Sequence, residues 1–414
     1  MRRTALVLVA VGAALPAMVV PSGGRPAGRP WFGVLEPNGR HFQAERRAGL
    51  TVTDLELAWA AAEPRPHRFD LRYLAAARVR LRAMRAQGMQ VALDLGLQYP
   101  PAWVFHLNRG TRFVDQYGDV WRSARLGSDV PDAVHDPAVR RAQAAYVDEV
   151  ASQLGSSIFA VRVGGLLDNE LRYPPAHGFG HANCYWAFGR MALARSPAPG
   201  WRPGDPGPAK ARVFLSAYLG ALVGYERWQL RLYRRAFRGW LELLLPSWGL
   251  RPGDIRRAVA TDLDGSTRAA LWGTLAMGLD WQRQLAAIGV PRVIAYTTWL
   301  DRPGAGSAPD TISPAAYLSR LARPRGIPVA GENAAGAGAA GMRVAVSQVR
   351  RLGLMGMMWM DEASLLAHRP SLGTYAALAS RPPMRHRTGV GLRPRAVRAS
   401  GAPHPLHAPA EDHQ

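Results

Sequence analysis

The sequence predicts an α/β fold, a single (β/α)8 TIM barrel, on the strength of three observations. Short apolar runs alternate with segments of helical periodicity along the 414-residue chain, and this alternation predicts a parallel sheet. Eight strand–helix units can be traced, and eight such units close a barrel. The residues that follow the apolar runs are polar or aromatic, as expected at the barrel end that carries active sites. The length is compatible with one domain.

The first four units occupy the amino-terminal half. A helix at 71–86 carries Leu74, Ala77, Leu81 and Met84 at helical spacing and is ended by Gly88. The predicted strands are residues 31–35, 52–59, 91–97 and 158–165.

The last four units begin after a long amphipathic helix predicted at 211–245. We expect the fifth strand to end just before Asp262. The predicted strands are residues 255–261, 293–296, 327–330 and 355–359. All are short and apolar, as strands buried on both faces should be.

The predicted barrel, residues 30–380, lies between two unlike segments. Residues 1–29 have a basic start, an apolar middle and a Pro/Gly/Ser-rich exit, which is typical of a signal peptide and a linker. We therefore expect a secreted or cell-envelope-associated protein; an uncleaved membrane anchor is the alternative. Residues 381–414 are rich in Arg, Pro and His without periodicity, which predicts a disordered tail.

The formal net charge of +22 does not predict nucleic-acid binding, because the arginines are spread along the chain. Lys210 is the only lysine, which indicates a compositional bias rather than a basic binding face. The basic tail is expected to make at most a weak contact with an anionic cell envelope. The single cysteine, Cys184, excludes an intrachain disulfide.

Two glutamates stand at the ends of predicted strands. Glu170 follows strand four and Glu332 follows strand seven, positions that face each other across the mouth of an eight-stranded barrel. Glycoside cleavage needs such a pair: one carboxyl group protonates the leaving oxygen, and the other attacks the anomeric carbon or activates water. We therefore predict an O-glycosyl hydrolase with Glu170 and Glu332 as its catalytic residues.

The pattern resembles the large clan A of glycoside hydrolases with barrel folds, most closely the catalytic domains of the family 42 β-galactosidases. Asn169-Glu170 matches the clan's acid/base motif after strand four, and Glu332 matches its nucleophile after strand seven. The resemblance implies a retaining mechanism. It also implies that Asn169 holds the sugar 2-hydroxyl, that Tyr296 hydrogen-bonds the nucleophile, and that Trp359 lies under the sugar. Family 42 proteins usually carry further carboxy-terminal domains, which we do not expect after the barrel of this sequence.

A weaker resemblance is to the β-amylases of family 14, which invert. Glu170-Leu171-Arg172-Tyr173-Pro174 and Gly331-Glu332-Asn333-Ala334 are similar to the contexts of their acid and base, although their flexible-loop sequence after strand three is missing. The two resemblances imply different carboxyl separations, about 5–5.5 Å for retention and about 6.5–9.5 Å for inversion.

Further residues at strand ends are candidates for substrate contacts. Trp299 and Trp103 would offer apolar faces to sugar rings, as Trp359 would. Asp94, Asp262 and Glu36 would bind hydroxyl groups. The expected ligand is an oligo- or polysaccharide; the oligomeric state is not predicted.

Other chemistries find little support. His177, His181 and Cys184 have a spacing that zinc ligands can adopt but lack an obvious fourth ligand, so we expect no metal. The glycines at 331–341 precede no Lys-Ser or Lys-Thr pair, and no dinucleotide fingerprint is present, so we expect no cofactor. The alternative from another class is a non-catalytic carbohydrate- or cell-wall-binding protein on a barrel scaffold; it would be expected to have lost one carboxylate, whereas both are present.

Overall fold

The computed structural model describes residues 28–122, 129–177 and 179–381. The predicted leader and tail lie outside the described residues, except for residues 28, 29 and 381. The strands of the described part are β1 (Trp31–Val34), β2 (Val52–Glu56), β3 (Gln90–Asp94), β4 (Ala160–Val163), β5 (Trp240–Leu245), β6 (Val293–Thr297), β7 (Val329–Glu332) and β8 (Gly356–Trp359).

These strands form one closed parallel barrel in chain order. Each strand pairs with the next, and β8 pairs with β1 over the whole of both strands, from Trp31 opposite Gly356 to Val34 opposite Trp359. Parallel neighbours need a crossover connection, and helical segments supply it. The predicted (β/α)8 fold is confirmed.

Helices surround the barrel. Those of the described residues are α1 (Phe42–Arg47), α2 (Trp59–Ala62), α3 (Leu71–Ala86), α4 (Pro137–Leu154), α5 (Arg190–Leu193), α6 (Pro208–Ala236), α7 (Asp254–Ala260), α8 (Arg268–Leu271), α9 (Trp281–Ala287), α10 (Pro314–Ala322), α11 (Ala339–Leu352), α12 (Glu362–Leu366) and α13 (Leu372–Ser380), with short 3-10 helices at Ala102–His106, Leu167–Asn169 and Arg323–Arg325. None of the helices in the described ranges is long and apolar enough to cross a membrane.

The prediction for α3 is confirmed in detail. Its predicted apolar face, formed by Leu74, Ala77, Leu81 and Met84, is the buried one. The helix begins after Asp70, whose side chain accepts hydrogen bonds from two backbone N–H groups of the first turn. Local signals therefore set both the face and the start of this helix.

The prediction of the fifth strand was wrong. Residues 255–261 lie mostly in α7, and the true β5 is Trp240–Leu245, which we had assigned to the end of the preceding helix. The run Leu-Glu-Leu-Leu-Leu has good intrinsic helix propensity, so its local pattern continued that of α6. Tertiary context overrides that propensity, because the run fills the gap between β4 and β6.

Gly239 marks the boundary that the periodicity concealed. A Cβ atom at this position would lie 2.0 Å from the carbonyl oxygen of Ile158, so only glycine allows the chain to approach the start of β4 this closely. The helix α6 has already ended at Ala236, and Phe237 is extended. The Arg238-Gly239 step therefore turns the chain from helix into strand.

The inside of the barrel holds an apolar cluster and a group of charged side chains. The apolar members come from every strand or its immediate end and include Ala92, Ala160 and Ala330. Two residues further along the same three strands lie Asp94, Arg162 and Glu332, and alternate strand residues face the same side. The barrel therefore changes from apolar to charged towards its carboxy-terminal mouth.

A second pair of carboxyl groups is contributed by α1 and α12. Glu45 on α1 and Glu362 at the start of α12 are only 1% and 2% exposed. Burial, and then the contact with Glu362, raise the pKa of Glu45 to about 8. Glu45 is therefore mostly protonated at neutral pH.

This pair predicts a pH-dependent stability. Because folding raises the pKa of Glu45, the group favours the folded state most below its ordinary pKa, and this contribution is lost as the pH rises towards 8. Glu45→Gln removes this pH-dependent loss of stability, because glutamine does not ionise. We expect its melting temperature to match that of the wild type at pH 5 and to exceed it by about 2–4 °C or more at pH 9. Asp148→Asn, a change at an exposed carboxylate on α4, is the control. An equal Tm difference for Glu45→Gln at both pH values would contradict the raised pKa of Glu45.

Candidate active site

The segment after β4 carries Glu170 back across the mouth of the barrel. A Cβ atom on Gly164 would lie 1.8 Å from the carbonyl oxygen of Asn169, so glycine permits this fold-back. Asp168 and Asn169 both adopt left-handed backbone angles, with φ of 54° and 56°. The side-chain oxygen of Asn169 accepts a hydrogen bond of 2.8 Å from the N–H of Gly165, which closes the turn. Strained non-glycine residues of this kind cluster at functional sites.

Glu170 is a partly buried carboxyl group with two side-chain partners. Its Oε1 accepts a hydrogen bond of 2.8 Å from the hydroxyl of Thr298, which follows β6. Its Oε2 pairs at 2.6 Å with Nε of Arg172, which also pairs with Asp168. Burial, and to a smaller extent the charge of Asp168, raise the pKa of Glu170 to about 7, although Arg172 acts to lower it. A substantial fraction of this carboxyl group is therefore protonated at neutral pH.

Glu332 ends β7 and has a different environment. Its side chain is 5% exposed, and its Oε2 pairs at 2.9 Å with Nη2 of Arg162 on β4. Burial alone would lower the pKa of Arg162. Nearby acidic groups, among which Glu332 has the largest effect, raise the pKa of Arg162 above its ordinary value. Arg162 supplies the opposite charge that a buried carboxylate needs as a partner. The two predicted catalytic residues thus lie in different electrostatic environments.

Arg162 is the centre of the charged interior. Its Nε lies 4.0 Å from Oδ2 of Asp94, and its guanidinium stands over the ring of Tyr296, 5.2 Å from the centroid. Burial raises the pKa of Asp54 and of Glu242 to about 7 each, while Arg162 lowers both. One cation therefore holds together several carboxyl groups from different strands.

Four of the predicted substrate contacts lie near this centre. Asp94 accepts hydrogen bonds from the N–H of Gly96 (2.8 Å) and from Gln98 (3.3 Å). The amide nitrogen of Asn169 lies beside Asp94 and makes no well-formed hydrogen bond within the described residues. Glu36 follows β1; its pKa is raised by partial burial and by the charges of Asp361 and Glu332.

The fourth of these residues, Tyr296, does not do what the resemblance implied. It is fully buried on β6 inside the barrel, and its hydroxyl makes no hydrogen bond to Glu332. Arg162 takes the place beside Glu332 that we expected for Tyr296, because a guanidinium on β4 reaches the end of β7 directly.

The prediction of Trp359 as a substrate contact was wrong, and so was the strand-end position predicted for Asp262. The side chain of Trp359 is fully buried, packs against Tyr375 on the outer side of the barrel and donates a hydrogen bond to Ser364, because alternate residues of β8 face the helices. Asp262 follows helix α7 rather than a strand, and its carboxylate accepts a hydrogen bond from the N–H of Gly207.

The two remaining tryptophans differ in their surroundings. Trp103 is partly buried; its ring stands edge-on to Trp59 at 5.9 Å and its Nε1 donates to the carbonyl oxygen of Glu63. Trp299 is partly buried directly after Thr298, the residue that binds Glu170. Trp299 is therefore the better placed of the two to meet a substrate.

A cavity of about 990 Å³ opens on the side of β3. Asp168, two residues before Glu170, lines it together with residues that follow β3. These include Gln98, Tyr99, Phe105 and His106. Gln98 also donates to Glu56 and Asp94 inside the barrel, so this side chain links the wall of the cavity to the charged centre.

Asn333 fixes the end of β7 against the end of β8. Its side-chain oxygen accepts a hydrogen bond of 2.8 Å from the N–H of Met360, and its nitrogen donates one of 2.7 Å to the carbonyl oxygen of the same residue. This two-way amide clamp holds the backbone next to Glu332 in place.

The residues that were considered for zinc have other partners. His181 stacks on Tyr117 at 3.6 Å and pairs with Asp119, whereas Cys184 is buried. His177 contacts the carbonyl oxygen of Leu271. Across residues 28–122, 129–177 and 179–381, no group of three or more His, Cys, Asp or Glu side chains is arranged to hold a metal ion.

Sequence reasoning missed Arg162, Arg172 and Thr298. Arg162 could have been found, because a charged residue within an otherwise apolar buried strand must have a partner. Glu242 carried the same signal but lay in the run that we assigned to a helix. For Thr298, which reaches Glu170 from another strand end, no local signal exists.

Comparison with known proteins shows a likeness at the level of the fold. No family model and no curated protein matches the sequence. The catalytic domain of β-amylase from Paenibacillus polymyxa is similar, with a TM-score of 0.63 and 15% identity over 84% of this chain and 97% of that one. The β-galactosidase of Halorubrum lacusprofundi has a TM-score of 0.51 and 16% identity, and that of Marinomonas ef1 has 0.51 and 12%. Both alignments cover 80% of this chain, which spans about half of either β-galactosidase (52% and 54%).

Proposed function

We propose that this protein is a glycoside hydrolase that cleaves O-glycosidic bonds, with Glu170 as the proton donor and Glu332 as the second carboxylate. The observation that carries the proposal is the contrast between these groups. Burial raises the pKa of Glu170 to about 7, so that it can donate a proton at neutral pH. Glu332 instead pairs at 2.9 Å with the guanidinium of Arg162 inside the barrel.

In the first step, the proton on Glu170 moves to the glycosidic oxygen as the bond to the anomeric carbon breaks. Thr298 and Arg172 hold the Glu170 carboxyl group in place for this transfer. Asn169, which the resemblance assigns to a sugar hydroxyl, is buried beside Asp94. The carbohydrate nature of the substrate is also supported by the likeness to β-amylase and β-galactosidase structures.

Two mechanisms use Glu332 differently. In the retaining mechanism predicted from the sequence, Glu332 attacks the anomeric carbon and water later releases the glycosyl-enzyme. In the inverting alternative, Glu332 takes a proton from the water that attacks directly. We favour inversion, because the likeness to the β-amylase catalytic domain extends over 97% of that domain and has the higher TM-score. The match of Asn169-Glu170 to the acid/base motif of clan A supports retention instead.

The stereochemistry of the first product distinguishes these mechanisms. We would supply maltoheptaose and 4-nitrophenyl β-galactoside separately and follow the anomeric protons by NMR in the first minutes of hydrolysis. A β-anomer released from the α-linked maltoheptaose is the result expected for inversion. Retained configuration, together with a glycosyl azide formed by Glu332→Ala in the presence of azide, would instead establish Glu332 as a nucleophile. No turnover across a wider panel of glycosides would favour the binding-protein alternative.

We also propose that the protein is exported, on the basis of the signal-peptide pattern in residues 1–29. Expression in a bacterial host followed by fractionation and mass spectrometry of the amino terminus tests this. A mature chain outside the cytoplasm that begins between residues 20 and 30 is expected. An intact amino terminus in the membrane fraction would support the anchor alternative.

A further inference from the structure

Three tryptophan side chains form a cluster at the mouth of the barrel. Trp248 lies 5.6 Å from Trp272 and 6.1 Å from Trp299, measured between ring centroids. Trp248 follows β5, Trp299 follows β6, and Trp272 ends α8. We call these three residues the tryptophan ledge. Only Trp299 was considered above as a substrate contact.

The ledge is at least partly accessible, and Trp272 is its most exposed member. Trp272 is 37% exposed, and Trp248 and Trp299 are each partly exposed. By contrast, Trp281 and Trp359 are fully buried in the core. Exposed aromatic surface of this extent, gathered at one place, marks a binding site more often than a packing defect.

The ledge is continuous with the proposed catalytic centre. Trp299 directly follows Thr298, whose hydroxyl donates the 2.8 Å hydrogen bond to Glu170. The ledge therefore begins next to the proton donor and extends outwards over the loops after β5 and β6. The ledge is formed by residues that follow β5 and β6, whereas the 990 Å³ cavity is lined mainly by residues that follow β3.

Arginine side chains accompany all three rings, and that of Arg251 lies 5.9 Å from the ring centroid of Trp248. The guanidinium of Arg268 lies 4.9 Å from the ring centroid of Trp272, and that of Arg302 lies 5.2 Å from the ring centroid of Trp299. The Arg302 side chain is 37% exposed. Flat aromatic faces suit the C–H surface of a pyranose ring, and guanidinium N–H groups suit its hydroxyls. The combination fits a carbohydrate better than an apolar protein surface.

We infer that the tryptophan ledge binds sugar units beyond the bond that is cleaved, so that the substrate is an oligosaccharide or polysaccharide chain rather than a disaccharide. This inference rests on the proposed function, since it takes the centre at Glu170 as the point where the chain is cut. It adds Trp248 and Trp272 as residues that determine affinity for long chains.

The test compares long and short ligands in ledge variants. Binding is measured by calorimetry with maltoheptaose, cellohexaose and maltose in a Glu170→Gln background, where no hydrolysis interferes. Trp272→Ala is the main variant, because Trp272 is the most exposed of the three tryptophans and its replacement disturbs the core least. Trp228→Ala is the matched control: this tryptophan is also partly buried beside an arginine, but it lies on α6.

We expect Trp272→Ala to weaken binding of the preferred long oligosaccharide about three- to tenfold, with maltose binding unchanged. In the active enzyme, KM for that oligosaccharide should rise by the same factor, while kcat/KM for a 4-nitrophenyl monosaccharide stays constant. Trp228→Ala should change none of these values.

Three results would overturn the inference. One is an unchanged affinity for the long chain in Trp272→Ala. Another is an equal loss for long and short ligands, which indicates a merely structural role. The third is an absence of binding of either long chain to the parent. Failure of the proposed function would look different, because it would abolish turnover of the monosaccharide glycosides as well.

Discussion

Glu170→Gln is expected to lower kcat/KM about 10²- to 10⁴-fold on substrates with a sugar leaving group, because glutamine cannot donate the proton that the departing oxygen needs. Substrates with a good leaving group, such as 2,4-dinitrophenyl glycosides, need less protonation and should lose much less. Initial rates on both kinds of substrate measure the difference.

The pH profile tests the same role. Since the pKa of Glu170 is raised to about 7, wild-type activity should fall as the pH rises above about 7 and the acid loses its proton. This alkaline limb should be absent from Glu170→Gln. Asp168→Asn is the informative control. Because the Asp168 charge raises the pKa of Glu170, its removal should shift the limb to lower pH without a comparable loss of rate. A Glu170→Gln enzyme that keeps the wild-type rate and alkaline limb would exclude Glu170 as the acid.

Arg162→Met is expected to destabilise the fold by about 3–5 kcal/mol at neutral pH, because it leaves buried carboxylates without their cation. Glu332 and Asp94, the two ion-pair partners of Arg162, are only 5% and 6% exposed. Urea denaturation of wild type and variant measures the loss. Activity should also fall, since Glu332 would lose the ion-pair partner that holds its carboxylate in position.

The pH dependence of this loss separates charge from packing. Arg162 lowers the pKa of Asp54 and of Glu242, which burial raises to about 7. Without Arg162 the pKa of both groups rises further. A carboxyl group whose pKa is raised by folding contributes least to the stability of the fold at high pH. The loss should therefore be larger at pH 8 than at pH 5. Arg162→Met combined with Glu332→Gln should recover part of it. A loss equal at both pH values would indicate that packing alone is affected.

Much of the site could be predicted from the sequence, because a (β/α)8 barrel places its functional residues at the carboxy-terminal ends of the strands. Glu170 and Glu332 could be singled out since each ends a recognisable apolar run, and strand order in a (β/α)8 barrel fixes which ends lie opposite. Asp94, Asn169 and Glu36 followed from the same rule. Trp359 did not, because a strand-end residue faces either the barrel or the helices, and a one-residue difference in position reverses the direction.

The sequence by itself determined the class of fold, the strands on either side of the two glutamates, and the apolar face of helices such as α3. These depend on periodicity and on local signals such as Asp70 and Gly88, which act over a few residues. Only the tertiary structure decided that Trp240–Leu245 is a strand, that Arg162 rather than Tyr296 holds Glu332, and that Thr298 holds Glu170. The physical reason is range: these contacts join residues between 52 and 170 positions apart, and burial and charge pairing at a site exist only after the chain has closed around it.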